Sequence, residues 1–77
     1  MMISPETYFE LEVRGKSAEK LKTTVKKLRA EERELEEKVK KGEWGIEPSY
    51  DTQLSMTREY LAVTRAALTL AEYGIHI

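Results

Sequence analysis

The feature that most constrains this chain is a helical segment, from about residue 50 to 73, whose apolar surface is too wide for one neighbouring helix. At 100° per residue, the first apolar stripe contains Leu54, Leu61, Leu68 and Ala71. The stripe beside it contains Met56, Tyr60, Val63, Ala67 and Leu70. Together the stripes span roughly 200°, whereas one packed helix covers about 100°. The segment therefore needs two neighbours, supplied by this chain or by another copy of it.

The composition excludes several kinds of functional site. The 77 residues include 13 basic side chains, 14 acidic side chains and no cysteine. Disulfides, thiolate metal sites and thiol nucleophiles are therefore absent, and His76 is the only imidazole. We accordingly predict a protein that is not an enzyme and that uses no cofactor and no metal. Because a core of this size is near the lower limit for independent stability, oligomerisation is expected.

Start and stop signals divide the chain into three predicted helices, at about residues 5–14, 17–41 and 50–73, within a single domain covering residues 1–77. Ser4 and Pro5 suit the start of the first helix. Phe9 to Val13 also alternates apolar and acidic residues at period two, so a strand is the alternative there. Gly15 either ends the first helix or lies within one continuous helix.

The middle helix has a heptad pattern of apolar residues: Ala18, Leu21, Val25, Leu28, Leu35 and Val39. Glu32 alone interrupts this stripe. It is either a buried acid with a raised pKa or a polar residue that sets the register by reaching water or an arginine such as Arg58 or Arg65. Gly42 and Gly74 suit the left-handed positions that follow the second and third helices.

These patterns predict an all-α fold, an antiparallel helical hairpin with a short N-terminal helix. The hairpin is expected to complete a four-helix bundle by homo-oligomerisation, as a dimer or a tetramer. The predicted self-association surface is the second stripe, namely Met56, Tyr60, Val63, Ala67 and Leu70. The N-terminal helix is expected to cap one end of the bundle or to cover part of that stripe.

A basic block opens the middle helix, formed by Lys16, Lys20, Lys22, Lys26, Lys27 and Arg29, with Glu19 as its one anion. Three interpretations remain open. The block is a solvated helix face, or it pairs with a second antiparallel copy in which Lys22 faces Glu36 and Lys26 faces Glu32 or Glu34. In the third, it binds phosphates, although the net charge of −1 and the lack of interleaved aromatic residues argue against nucleic acid.

Trp44 lies in the connection between the two long helices. It either folds back over the open end of the hairpin or anchors a partner protein. The chain has neither a signal-peptide pattern nor 18 consecutive apolar residues, so we expect a cytoplasmic protein without membrane contact. The sequence thus predicts a non-enzymatic interaction or structural module that self-associates. The alternative is a small regulatory bundle that binds nucleic acid through residues 16–29.

Overall fold

The computed structural model describes residues 3–45 and 48–77, and every regular element in these ranges is helical. Helix α1 spans Pro5–Tyr8 and continues as one turn of π-helix, Phe9–Val13. Helices α2 and α3 span Ala18–Lys40 and Tyr50–Glu72. The strand alternative for residues 9–13 is therefore wrong. The helix does not continue through Gly15, which has a φ of +74°.

The helix ends follow local capping chemistry. The hydroxyls of Ser4, Ser17 and Ser49 each accept a hydrogen bond from the backbone N–H three residues later, at 3.2, 3.2 and 3.4 Å. Beyond α2, the Glu43 N–H donates to the Lys38 carbonyl at 3.0 Å. Beyond α3, the Ile75 N–H donates to the Leu70 carbonyl at 2.8 Å. These bonds are typical of Schellman motifs, with Gly42 and Gly74 at the left-handed position.

Helices α2 and α3 pack against each other as the predicted antiparallel hairpin. The apolar stripe of α2 faces α3 and buries Leu21, Val25, Leu28 and Leu35. The first stripe of α3 is covered in return, with Leu54, Leu61 and two threonines, Thr57 and Thr64, almost fully buried. The heptad stripe of α2 is thereby confirmed as the surface that packs against α3.

The second neighbour that α3 requires is the N-terminal segment, residues 5–13 of the same chain. The Tyr8 ring stacks on Tyr60 with centroids 4.2 Å apart, and the Tyr60 hydroxyl donates to the Ile3 carbonyl. Further along, Val13 joins Leu21 and Ala67 in one buried cluster. The N-terminal segment therefore covers part of the second stripe of α3, which was one of its two predicted positions.

This packing covers two of the five residues of the predicted self-association surface. Tyr60 and Ala67 are 5% and 3% exposed within the single chain, so they are not accessible to a second copy while the N-terminal segment is docked. Met56, Val63 and Leu70 remain partly exposed. The molecule is elongated, at 43 × 20 × 13 Å. Among its described helices, none has the length and apolar character required to span a bilayer.

Candidate functional site

Helix α3 has an outer seam, a heptad row that the N-terminal segment leaves uncovered. Its partly exposed members are Met56, Val63 and Leu70, seven residues apart. Its fully exposed members are Glu59, Ala66 and Tyr73. The spacing of three and four residues between successive members aligns all six on one side of the helix. The outer seam shares Met56, Val63 and Leu70 with the predicted second stripe. It contains Glu59 and Ala66 in place of Tyr60 and Ala67, and so it faces away from the docked N-terminal segment.

The outer seam is poor in charge compared with the rest of the surface. Ten of the twelve exposed residues of α2 are charged. On α3, a row of Ser55, Ala62 and Thr69 runs beside the outer seam, and Glu59 is the one charged residue in the seam and this row together. Small uncharged residues allow a second helix to approach closely. This arc of α3 therefore has the composition of a contact surface.

On the flank of α3 that borders α2, beyond the row of Ser55, Ala62 and Thr69, Arg58 bridges the two long helices. Its guanidinium donates to Glu32 at 3.1 Å and to Glu36 at 2.9 Å. These hydrogen bonds, first to Glu32 and then to Glu36, raise the pKa of the Arg58 guanidinium. Glu32 thus reaches an arginine, as the register interpretation predicted. Glu36 accepts from the same guanidinium, so Arg58 holds both carboxylates against α3.

Two turns further along α3, the groove between the two long helices contains cations, and no carboxylates lie at the positions that correspond to Glu32 and Glu36. Because the helices are antiparallel, moving seven residues forward along α3 corresponds to moving seven residues back along α2. Arg65 therefore takes the place of Arg58, and Val25 and Arg29 take the places of Glu32 and Glu36. Arg65 therefore lies opposite a buried valine and an exposed arginine. Within residues 3–45 and 48–77, neither arginine has a salt-bridge partner.

The six cations of the basic block do not form a single surface. Lys22, Lys26 and Arg29 lie on the flank of α2 beside Arg65. Lys20 and Lys27 lie on the other flank, in a cleft of about 230 Å³ that Glu12 and Glu31 also line. Lys16 precedes α2 and lies by the C-terminal residues 75–77. We call the exposed set Lys22, Lys26, Arg29, Arg33 and Arg65 the cationic face.

Trp44 is 73% exposed, so it does not fold back over the open end of the hairpin. Its backbone carbonyl accepts a hydrogen bond from the Tyr50 N–H at 2.7 Å. The Tyr50 ring lies under the Lys38 ammonium at 4.7 Å and against Gly45. A Cβ at position 45 would lie 2.8 Å from that ring. The connection is thus shaped around Tyr50, and the partner-anchor interpretation of Trp44 stays a prediction.

The ionisation of the stacked tyrosines, Tyr8 and Tyr60, links the stability of the fold to alkaline pH. Burial, and then the Glu12 carboxylate, raises the pKa of Tyr8, while burial and then Glu59 raises the pKa of Tyr60. Both phenols are therefore harder to ionise in the folded chain than in the unfolded chain, where the pKa is about 10. Their contribution to stability is fully present below about pH 10 and declines as the pH rises further.

We expect the free energy of unfolding to fall above about pH 10, and to fall less in a Tyr8→Phe, Tyr60→Phe double variant. Urea unfolding at several pH values checks this expectation. Absorbance at 295 nm reports tyrosinate in parallel. An identical alkaline decline in the double variant would assign the effect to other groups, such as the lysines.

Sequence reasoning missed Arg33 and Arg65 of the cationic face, and Ala66 and Tyr73 of the outer seam. The sequence does contain a pattern that relates to the cationic face. Lys22, Arg29 and Glu36 of α2 are spaced by seven residues, and so are Arg58, Arg65 and Glu72 of α3. Its meaning depends on the register between the helices, which one sequence does not contain. The structure shows this register in the contacts of Arg58 with Glu32 and Glu36.

Within the described part of the chain, no three histidine, cysteine, aspartate or glutamate side chains are grouped so as to hold a metal ion. Comparison of the chain with protein families, with curated proteins and with solved structures finds no match. What the protein does must therefore be inferred from its own surfaces, of which the outer seam and the cationic face are the two most distinctive.

Proposed function

We propose that this chain is a non-enzymatic helical interaction module that forms a homodimer through the outer seam of α3. The observation that carries the proposal is the scarcity of charge on that seam, in a chain of which 35% of the residues are charged. Solvated helix faces carry charges, as α2 does, whereas the centres of protein interfaces are depleted in them. An exposed helix face with one charge in nine positions is therefore best explained by a partner.

The outer seam is complementary to itself when two copies of α3 pack antiparallel. With a two-fold axis midway between residues 63 and 66, Val63 faces Ala66 of the second copy. The same register sets Met56 against the second copy's Tyr73. It places Glu59, the one charge of the seam, beside the second copy's Leu70 about 8 Å from the axis, where its long side chain reaches solvent, whereas position 66 lies at the axis itself. Large residues thus meet smaller ones near the axis, and the interface is isologous. A closed two-fold contact favours a dimer over a tetramer.

The shape of the single chain supports this proposal. The chain exposes 5527 Å² of surface. A compact monomer of 8.9 kDa exposes about 4,800 Å². The difference reflects an elongated molecule whose α3 has neighbours on two sides only. Pairing through α3 would bury a row of apolar side chains that the described elements of the chain leave partly exposed.

The alternative pairing, through oppositely charged halves of α2, is less compatible with the fold. That register needs Glu36 to face Lys22 of a second copy, and it needs Glu32 or Glu34 for Lys26. Glu32 and Glu36 already contact Arg58 within the chain. A dimer built on them would compete with an intramolecular ion pair. The two modes also differ in salt dependence, because an apolar seam is insensitive to screening and charge pairing is not.

Native mass as a function of ionic strength tests the proposal. We expect light scattering at micromolar concentration to give about twice the chain mass of 8.9 kDa, at both low and high salt. Ala66→Glu places a charge opposite the second copy's Val63 and is expected to produce a monomer. The matched control is Ala30→Glu, which adds the same charge at an exposed position of α2 and should leave the mass unchanged.

Three outcomes would contradict the proposal. The first is a wild-type chain that is monomeric throughout the micromolar range. The second is a dimer that dissociates as salt is added, which would favour the α2 pairing. The third is equal loss of mass in Ala66→Glu and Ala30→Glu, which would assign the effect to net charge. Far-UV circular dichroism of both variants shows whether they remain folded.

A further inference from the structure

The cationic face consists of two parallel rows on one flank of α2 and one arginine of α3. The first row contains Lys22 and Arg29, and Glu36 continues it at the same interval of seven residues. The second row contains Lys26, four residues after Lys22, and Arg33, four residues after Arg29. Arg65 lies across the groove, on α3. All five side chains are exposed, and none has a salt-bridge partner within the ranges that the structure describes.

This concentration of charge is unfavourable for the isolated chain. Lys22 and Lys26, at i and i+4, repel each other, and so do Arg29 and Arg33. Four acids border the face, Glu19 and Glu72 toward one end and Glu36 and Glu37 toward the other. Arg58 already engages Glu36, so the five cations outnumber the acids that remain beside them.

From this arrangement we infer that the cationic face binds the phosphate backbone of a duplex nucleic acid, a function separate from self-association. The α2 rows extend over twelve residues, from Lys22 to Arg33, or about 16 Å of rigid helix. Each strand of a duplex presents a phosphate about every 3.4 Å along the axis, so this length spans about five base-pair steps and phosphates of both strands lie along it. Five side chains thus face a polyanion of matching length.

The chemistry of the face favours phosphate over an acidic protein surface. Residues 22–33 of α2 expose lysine and arginine and no apolar side chain larger than Ala30. The centres of protein interfaces are depleted in lysine and contain apolar or aromatic anchors, which this face lacks. Phosphate-backbone contacts, by contrast, consist of exposed lysines and arginines and need no apolar centre.

The same residues favour a duplex over a single strand. Proteins that bind single strands stack bases on aromatic side chains. Neither residues 22–33 of α2 nor residues 61–69 of α3, which face them, contain an aromatic residue. A straight helical pair with charges on its surface contacts a rigid backbone without opening it. Binding is therefore expected to depend on charge and not on base sequence.

Fluorescence anisotropy of a labelled duplex DNA, titrated with the full chain at several salt concentrations, tests this inference. With five phosphate contacts, the slope of log K against log salt should be about −4.5. In the Lys22→Gln, Arg29→Gln variant, the slope should decrease in magnitude by about 2, and binding at low salt should weaken at least about tenfold. The matched control is Lys20→Gln with Lys27→Gln, which removes two cations at the same spacing from the other flank of α2.

Binding with this slope, lost in the first variant and kept in the control, supports the inference. Absence of binding at about 50 mM salt overturns it, and so does equal weakening of the two variants. Tighter binding to a polyglutamate peptide than to the duplex would identify an acidic protein surface instead. Tighter binding to a single strand would exclude the backbone mode. The cationic face and the outer seam share no residue, so Ala66→Glu, although it adds a charge beside Arg65, should weaken duplex binding less than Lys22→Gln with Arg29→Gln even where it abolishes the dimer.

Discussion

Replacing Tyr60 with alanine is expected to lower the free energy of unfolding by about 3–5 kcal/mol, the usual cost of truncating a buried aromatic residue. Tyr60 is 5% exposed and clusters with Val25, Leu28 and Leu61 at the hairpin interface. It also provides the surface on which the Tyr8 ring stacks. The substitution therefore opens the hairpin core and removes the main support of the N-terminal segment.

A loss of this size is severe for so short a chain. At 0.05–0.15 kcal/mol per residue, 77 residues have a total stability of about 4–12 kcal/mol. Urea unfolding followed by far-UV circular dichroism measures the change. Tyr60→Phe, which removes only the hydrogen bond to the Ile3 carbonyl, should cost about 0.5–1.5 kcal/mol. Trp44→Ala removes a 73% exposed aromatic residue that belongs to neither proposed surface, and it should have little effect. Comparable losses in Tyr60→Ala and Trp44→Ala would contradict the described packing.

Leu21→Ala is the second large effect that we expect, about 2–5 kcal/mol. Leu21 is 2% exposed and packs with Val13 and Ala67, where the end of the π-helix meets both long helices. Truncation there leaves a cavity bounded by rigid helices, which collapses only in part. The loss should lower the stability of the N-terminal segment and of the hairpin together.

Leu11→Ala is the matched control for Leu21→Ala. It deletes the same atoms from a leucine that is 60% exposed, and we expect a change within about 0.5 kcal/mol. Thermal or urea unfolding of the two variants under identical conditions makes the comparison. If Leu11→Ala were as destabilising as Leu21→Ala, the π-helical turn would face the core differently from the arrangement described here.

Much of this fold was predictable from local chemistry. Ser4 caps its helix as predicted, and Gly42 and Gly74 end theirs. The pattern of α2 indicated which side faces its neighbour, because a period near 3.6 residues aligns apolar side chains on one face. These features were accessible because each depends on residues within a few positions of one another along the chain.

Other features required contacts between distant parts of the chain. Residues 9–13 alternate like a strand, yet they form a π-helical turn because Val13 enters the cluster of Leu21 and Ala67. The apolar width of α3 indicated two neighbours, and it did not distinguish a second copy from the N-terminal segment. The docking of Tyr8 on Tyr60 decides that choice for part of the stripe.

The two proposed surfaces differ in how much of each the sequence contained. Met56, Val63 and Leu70 were identifiable from spacing, and the cations of residues 16–29 from composition. The register of α2 against α3 is needed to see that Lys22 and Arg29 share a face with Arg65. It is also needed to see that Lys20 and Lys27 face a cleft on the other flank.

By itself, the sequence determined where the two long helices end and which of their faces is apolar, since capping and periodicity act over one or two turns. Only the tertiary structure decided which apolar face is already covered and which charges stand without a counterpart. The reason is physical: coverage and charge pairing depend on the relative placement of residues many positions apart, and packing of the whole chain sets that placement.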